Sequence, residues 1–173
     1  ENRDSAHVLL DRAINLMPEF SFVEMQADIA RVEGDDARAD SLVAVITTML
    51  AEDEASGHSM NLELSRLHAA HATDLAEATR RARVELEGRA GNPDALDALA
   101  FALYRAGQLD EASTMIEQAL AAAPKNGVIL AHAGLIDIAR GETAQGKERI
   151  AEARRMQKVM PILLAHHVAT VTG

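Results

Sequence analysis

The sequence predicts an all-α fold, an α-solenoid of antiparallel helix pairs closed by a C-terminal capping helix. Residues Asn92 to Asn126 read as two amphipathic helices hinged at Gly107 and stopped at Pro124. The same landmarks return 34 residues later, where Pro93, Leu96, Gly107 and Ala119 become Gly127, Leu130, Gly141 and Ala153. No strand pattern is evident, and at 2% aromatic content the alanine-rich helices must close on small side chains. A helix pair of this length cannot bury its apolar stripe alone, whereas a stack of pairs can. The whole chain, residues 1–173, therefore reads as one elongated domain.

The first segment, 1–19, offers Ala6, Leu10, Ala13 and Pro18, which fit only the second half of a unit, so the chain reads as a fragment that starts inside a repeat. A complete unit follows over about 20–53, with Val23, Ala27, Ala39, Val43 and Ile46 on its apolar stripes. Gly34 and the two aspartates after it make its turn and the start of its second helix. The polar segment 52–59, EDEASGHS, lengthens the spacing and is the expected flexible connection, an enlarged loop that need not divide the stack. The unit at 59–92 is degenerate, with Leu62 and Ala78 in place and Thr73 where the turn glycine belongs. Its second helix still carries Leu75, Ala78, Ala82 and Leu86 on one face and arginines on the other.

The unit at 93–126 is the best formed. Leu96, Leu99, Ala100, Leu103 and Tyr104 recur at the spacing of an amphipathic helix. Asn92 caps it and Pro93 fits its first turn, where a missing N–H costs nothing. Gly107 reaches left-handed angles and reverses the chain into a second helix near Leu109 or Asp110. Ala100 and Ala112 allow the two backbones to approach, while Ile116, Ala119 and Leu120 continue the stripe. The unit at 127–160 keeps Leu130, Ala133, Gly134, Gly141, Ile150 and Ala153. The last apolar helix, 161–171, starts at Pro161 and is the cap.

This layout resembles the tetratricopeptide repeat. Leu96 stands at the first large apolar position, Leu99 and Ala100 at the large-small pair, and Ala112, Ala119 and Pro124 at the later signature positions. The chain departs from the pattern at Leu103, where the aromatic is usual and Tyr104 falls one place later, at Gly146, where alanine is usual, and at Lys158, where proline is usual. The resemblance implies a right-handed superhelix whose first helices line a concave groove for a peptide or partner helix. Carried over residue by residue, the groove positions are Glu24, Asp28 and Arg31, then Glu63, Leu67 and His71, then Asp94, Asp97, Ala98, Phe101, Tyr104 and Arg105. The last unit adds Ala131, His132, Leu135 and Ile138. Phe101 and Tyr104, a helical turn apart, are the natural anchors. Asp97 and Ala98 occupy places where a chaperone-tail clamp would need basic or amide groups, so that ligand is not expected. The acidic positions favour a basic or amphipathic protein segment instead.

Composition narrows the classes. A formal net charge of −10 disfavours nucleic acid and anionic membranes, which reward a concentrated basic face. Arg80, Arg81, Arg83, Arg149, Arg154 and Arg155 read as solvated helix faces. The chain has no cysteine, so disulfides and thiolate metal sites are excluded. No apolar run is long enough to span a membrane, so no direct membrane insertion is expected. The style looks bacterial, and a soluble chain, cytoplasmic or extracytoplasmic, fits it.

Chemistry is thin. His68 and His71 share a helix face with Asp74 at three-residue spacings, a weak metal pattern without an HExxH glutamate. His166 and His167 point to different faces. Asp35 with Asp36 and Asp110 with Glu111 sit at helix starts, where capping accounts for them. No phosphate loop or nucleophile elbow is present. The expectation is a noncatalytic interaction scaffold with no catalytic residue, metal or cofactor. The alternative is a homo-oligomerisation module that dimerises through the terminal helices, and a metal-binding or enzymatic helical domain ranks below both.

Overall fold

A computed structural model describes residues 2–173, and the described residues form ten helices and no strands. They are α1 (Asn2–Leu16), α2 (Phe20–Glu33), α3 (Asp36–Ala55), α4 (Asn61–His71), α5 (Leu75–Gly88), α6 (Pro93–Arg105), α7 (Leu109–Ala122), α8 (Gly127–Ala139), α9 (Thr143–Met156) and α10 (Ile162–Thr172). The chain falls into two compact units, Glu1–Met60 and Asn61–Gly173. Helices α2 and α3 pair in the first unit, and α4 with α5, α6 with α7 and α8 with α9 pair in the second.

The four turns inside the pairs share one hydrogen-bond pattern. Gly34, Gly107 and Gly141 take φ of 82°, 77° and 91°. In each case the amide one residue later donates to a carbonyl five residues back, as Gln108 does to Leu103 at 2.9 Å and Glu142 to Asp137 at 2.8 Å. This closes the helix end and satisfies carbonyls that have no helical partner. The α4–α5 turn differs from expectation. The left-handed residue is Ala72, with φ 54°, one place before Thr73. Thr73 instead donates its amide to the His68 carbonyl at 3.2 Å, and its hydroxyl shares a 2.8 Å hydrogen bond with His68 Nδ1. The turn survives without glycine at the cost of a Cβ clash that a single exposed alanine can bear.

Repeat register governs the starts of the first helices as well. The Asn92 side chain accepts from the amides of Asp94 and Ala95, and Asn126, 34 residues on, accepts in the same way from Val128 and Ile129. The second helices α3 and α5 are capped by Asp35 and Asp74, which accept from Arg38 and Glu77. Pro161 is the residue before α10 rather than its first turn, and it provides no side-chain cap. The polar segment 52–59 also departs from expectation, because α3 continues through Ala55 and only 56–60 form a connection. That connection ends where the two units divide.

In the first unit α1 lies against α2, where Gln26 donates to Asp11 at 2.6 Å and His7 meets Glu33 at 3.3 Å. Val23, Ala27, Ala30, Ala39, Val43, Ile46 and Leu50 form its buried stripes. In the second unit one core cluster joins Ala82, Leu96, Leu99, Leu103, Ile116, Ile129 and Ile136 across α5 to α8. Each large side chain so buried contributes roughly 1.5–3 kcal/mol relative to exposure. Ala100 and Ala112 are fully buried in the α6–α7 pair. Their equivalents in the α8–α9 pair are Gly134 and Gly146, and there the backbones come closer still. A Cβ at Gly146 would lie 2.5 Å from the Gly134 carbonyl oxygen. The glycine at the usual alanine position is thus a requirement of this crossing.

Candidate functional site

The first helices α4, α6 and α8 touch in succession, α4 against α6 and α6 against α8. Their neighbouring faces bring together five residues expected at a groove: Asp97, Phe101, Tyr104 and Arg105 from α6 and His132 from α8. The spacing explains the meeting. Asp97, Phe101 and Tyr104 lie at i, i+4 and i+7 on one helix, and His132 lies one repeat and one residue beyond Asp97.

The Phe101 ring stacks on the His132 imidazole with centroids 4.1 Å apart and planes inclined by 18°. His132 Nδ1 donates to Asp97 Oδ1 at 2.8 Å, which fixes the imidazole beneath the phenyl ring. Asp97 is only 3% exposed and Phe101 9%. Burial of this carboxylate is tolerated because it accepts a hydrogen bond from His132. Arg105 reaches back to α4, donating to the Ala70 carbonyl at 2.9 Å, and its guanidinium carbon lies 5.8 Å from the Phe101 ring centre.

A sixth residue completes the cluster. His167 of α10 shares a 2.9 Å hydrogen bond through Nε2 with the Tyr104 hydroxyl and stands edge-on to Phe101, with centroids 6.4 Å apart. The C-terminal helix therefore touches both α8 and α6. Its Leu164 and Val168 join Phe101, Ala102, Ala131 and Leu135 in one apolar cluster. Burial, reinforced by Arg105, His132 and His166, lowers the His167 pKa to about 4, so the ring is neutral near pH 7. Burial likewise raises the Tyr104 phenol, against the opposing pull of Arg105. The arrangement holds a helix through ring edges and one hydrogen bond. His166 and His167, expected on different faces, are exposed and half-buried respectively. Nothing in the repeat register indicates which helix His167 would meet.

The other groove positions are placed differently. Leu67 and His71 are buried on α4. Glu63 is half-buried. Asp94 is half-buried and pairs with Arg66 at 3.2 Å. Glu24 and Asp28 are half-buried on α2 of the first unit, and Arg31 there binds Asp36 at 2.7 Å and also Asp40. Asp97 was expected to give the face negative character, but its charge is turned inward onto His132.

The arginine faces are largely neutralised. Arg80 and Arg81 both bind Glu77, which they hold near pKa 2, with the Arg80 hydrogen bond the largest cause. Arg83 reaches Glu111 at 2.7 Å, Arg149 reaches Glu117 at 2.7 Å, and Arg155 binds Glu152. Of the suspected metal pair, His68 is engaged by Thr73, and among the described residues no group of three or more histidine or acidic side chains is placed to hold an ion. Among them, too, no helix is long and apolar enough to cross a membrane.

Residues 93–138 match the tetratricopeptide repeat family. No curated protein matches the chain. The match covers α6, α7 and nearly all of α8, the helices that carry the Asn92 and Asn126 caps, the Gly107 turn and the Phe101–His132 stack. Residues 93–138 are thus similar to the tetratricopeptide repeat, and the described residues form an all-α helical repeat consistent with it.

Proposed function

We propose that the chain is a noncatalytic interaction scaffold that holds a helical segment of a protein partner on the face made by α6 and α8. Tetratricopeptide repeats are generally protein–protein interaction modules, and all-helical folds of this kind are typically scaffolds. The observation that carries the reading is the docking of α10, since a helix already rests on this face through Tyr104, Phe101 and the surrounding apolar cluster. Such a face offers branched apolar contacts, ring edges and a phenol, which suit an amphipathic helix. A strongly basic ligand draws less support, because Asp97 and Asp94 are already paired. Assembly through the terminal helices also draws less support, because Leu164 and Val168 are already buried against the chain's own helices.

The test is a selection of helical peptides displayed against the full chain, followed by titration of the winners into wild type and Phe101→Ala. Selected helices should lose at least tenfold in affinity when Phe101 is truncated while the variant keeps its helical circular dichroism. Ligands that bind the two proteins equally would place recognition elsewhere and defeat the proposal.

A further inference from the structure

Helix α10 is built unlike the other helices of its unit. Its eleven residues, Ile162–Thr172, contain no aspartate, glutamate, lysine or arginine. Like α7 and α9 it has no side-chain N-cap, so nothing at its start offsets that composition. Val168, Thr170, Val171 and Thr172 are β-branched and weak helix formers. A helix this short does not hold in water by itself, so its order depends on what it touches. What it touches is narrow. Leu164 at 7% exposure and Val168 at 0% are its only buried side chains, and of its half-buried residues His167 bonds Tyr104 and Val171 packs on the same apolar cluster. These four fall at i, i+3, i+4 and i+7, one stripe of a helix.

We infer that α10 is an internal occupant of the binding face, and that the face accepts in its place an uncharged helix bearing the same stripe. Such a ligand presents branched apolar residues at i, i+4 and i+7 and an imidazole or amide at i+3 to meet the Tyr104 hydroxyl. The inference rests on the reading of α6 and α8 as the ligand face and adds to it a competitor carried by the chain. When α10 leaves, Phe101, Tyr104, Ala131 and Leu135 lose their cover, and a helix that restores it is held by the same groups. The apparent affinity of an outside ligand is then reduced by the fraction of molecules in which α10 is docked.

The probe is a fluorescein-labelled synthetic peptide of residues Met160–Gly173, followed by anisotropy on titration with the full chain. The Leu164→Asp/Val168→Asp chain, whose own α10 cannot dock, should bind the peptide at least tenfold more tightly than wild type. Adding Tyr104→Phe to that chain should weaken binding several-fold. His167→Ala leaves the apolar stripe intact and carries the same comparison if the double variant does not fold, with a smaller gain expected. Equal binding to wild type and undocked chain, or none to either when both are folded, overturns the inference. So does a wild-type dimer in light scattering that the double variant abolishes, because α10 would then be exchanged between copies. Display-selected helices that require Phe101 yet bind docked and undocked chains equally would leave the proposed function standing and remove only this competition.

Discussion

Replacing Gly146 with alanine adds one methyl group where α9 crosses α8. The new Cβ would stand 2.5 Å from the Gly134 carbonyl oxygen, 2.6 Å from Ile138 Cγ1 and 3.0 Å from the Ile138 amide nitrogen. Two of those three atoms are backbone and cannot rotate away. Helix propensity alone would make the change favourable by about 1 kcal/mol. Overpacking a close interface costs about 1–3 kcal/mol, and a backbone contact belongs at the upper end of that range. The net expectation is a loss of about 1–2 kcal/mol. Thermal unfolding followed by far-ultraviolet circular dichroism should show a fall of roughly 4–8 °C, on the scale of a unit this size. The opposite substitution one repeat earlier sharpens the test. Ala112→Gly, at the equivalent position, should also destabilise, because the α6–α7 pair uses the alanine methyl in its buried contact. If Gly146→Ala were neutral or raised the melting temperature, the close crossing at Gly134 and Gly146 would be refuted.

Three further outcomes follow. Ala72→Gly should stabilise by about 0.5–1 kcal/mol, since relief of the left-handed strain outweighs the added freedom of the unfolded chain, and urea titration at constant m-value measures it. Asn92→Ala and Asn126→Ala should each cost about 1 kcal/mol in the same titration, because each removes the acceptor for two amides at a helix start. Acidification should release α10. The His167 pKa falls on docking from 6.5 to about 4, through burial first and then Arg105, His132 and His166. Docking thus favours the neutral ring, so its contribution is complete above pH 6.5 and shrinks as the pH falls toward 4. About 1–2 kcal/mol should be gone by pH 5, allowing for the solvent screening of a half-buried group. Tyr104 and Arg105 of α6 and His132 of α8 surround the ring, and Asp97 stays engaged with His132. Protection factors of the α10 amides, corrected for the intrinsic pH dependence of exchange, should lose their pH dependence in His167→Gln, and a dependence that persists would assign the effect to another group.

The repeat pattern made most of the fold legible. A landmark that acts within its own turn, such as Asn92 on the amides after it or Gly107 on the carbonyls before it, can be read from neighbouring residues alone, and the structure places both as expected. Ala72 escaped because a hydrogen-bond pattern closed by Thr73 and His68 can substitute for a glycine. The connection after α3 was overestimated because EDEA is polar, and polarity does not stop a helix whose other face carries Ile46 and Leu50. The site was less legible for a different reason. Register identifies the helix on which Asp97 or Phe101 lies, yet which side chain covers it depends on an imidazole from the next repeat and a helix 63 residues away along the chain from Tyr104. Asp97 therefore reads as a surface charge in sequence and stands in the structure as the partner of His132.

The central claim is that the face of α6 and α8 holds helices, with α10 as its resident occupant. Hydrogen exchange of the full chain with and without a saturating display-selected helical peptide tests it most directly. The account predicts that amides of α6 and α8 gain protection while those of α10 exchange faster, in the same titration and at the same peptide concentration. Protection confined to α7, α9 or the turns between the pairs, with α10 unchanged, would contradict it.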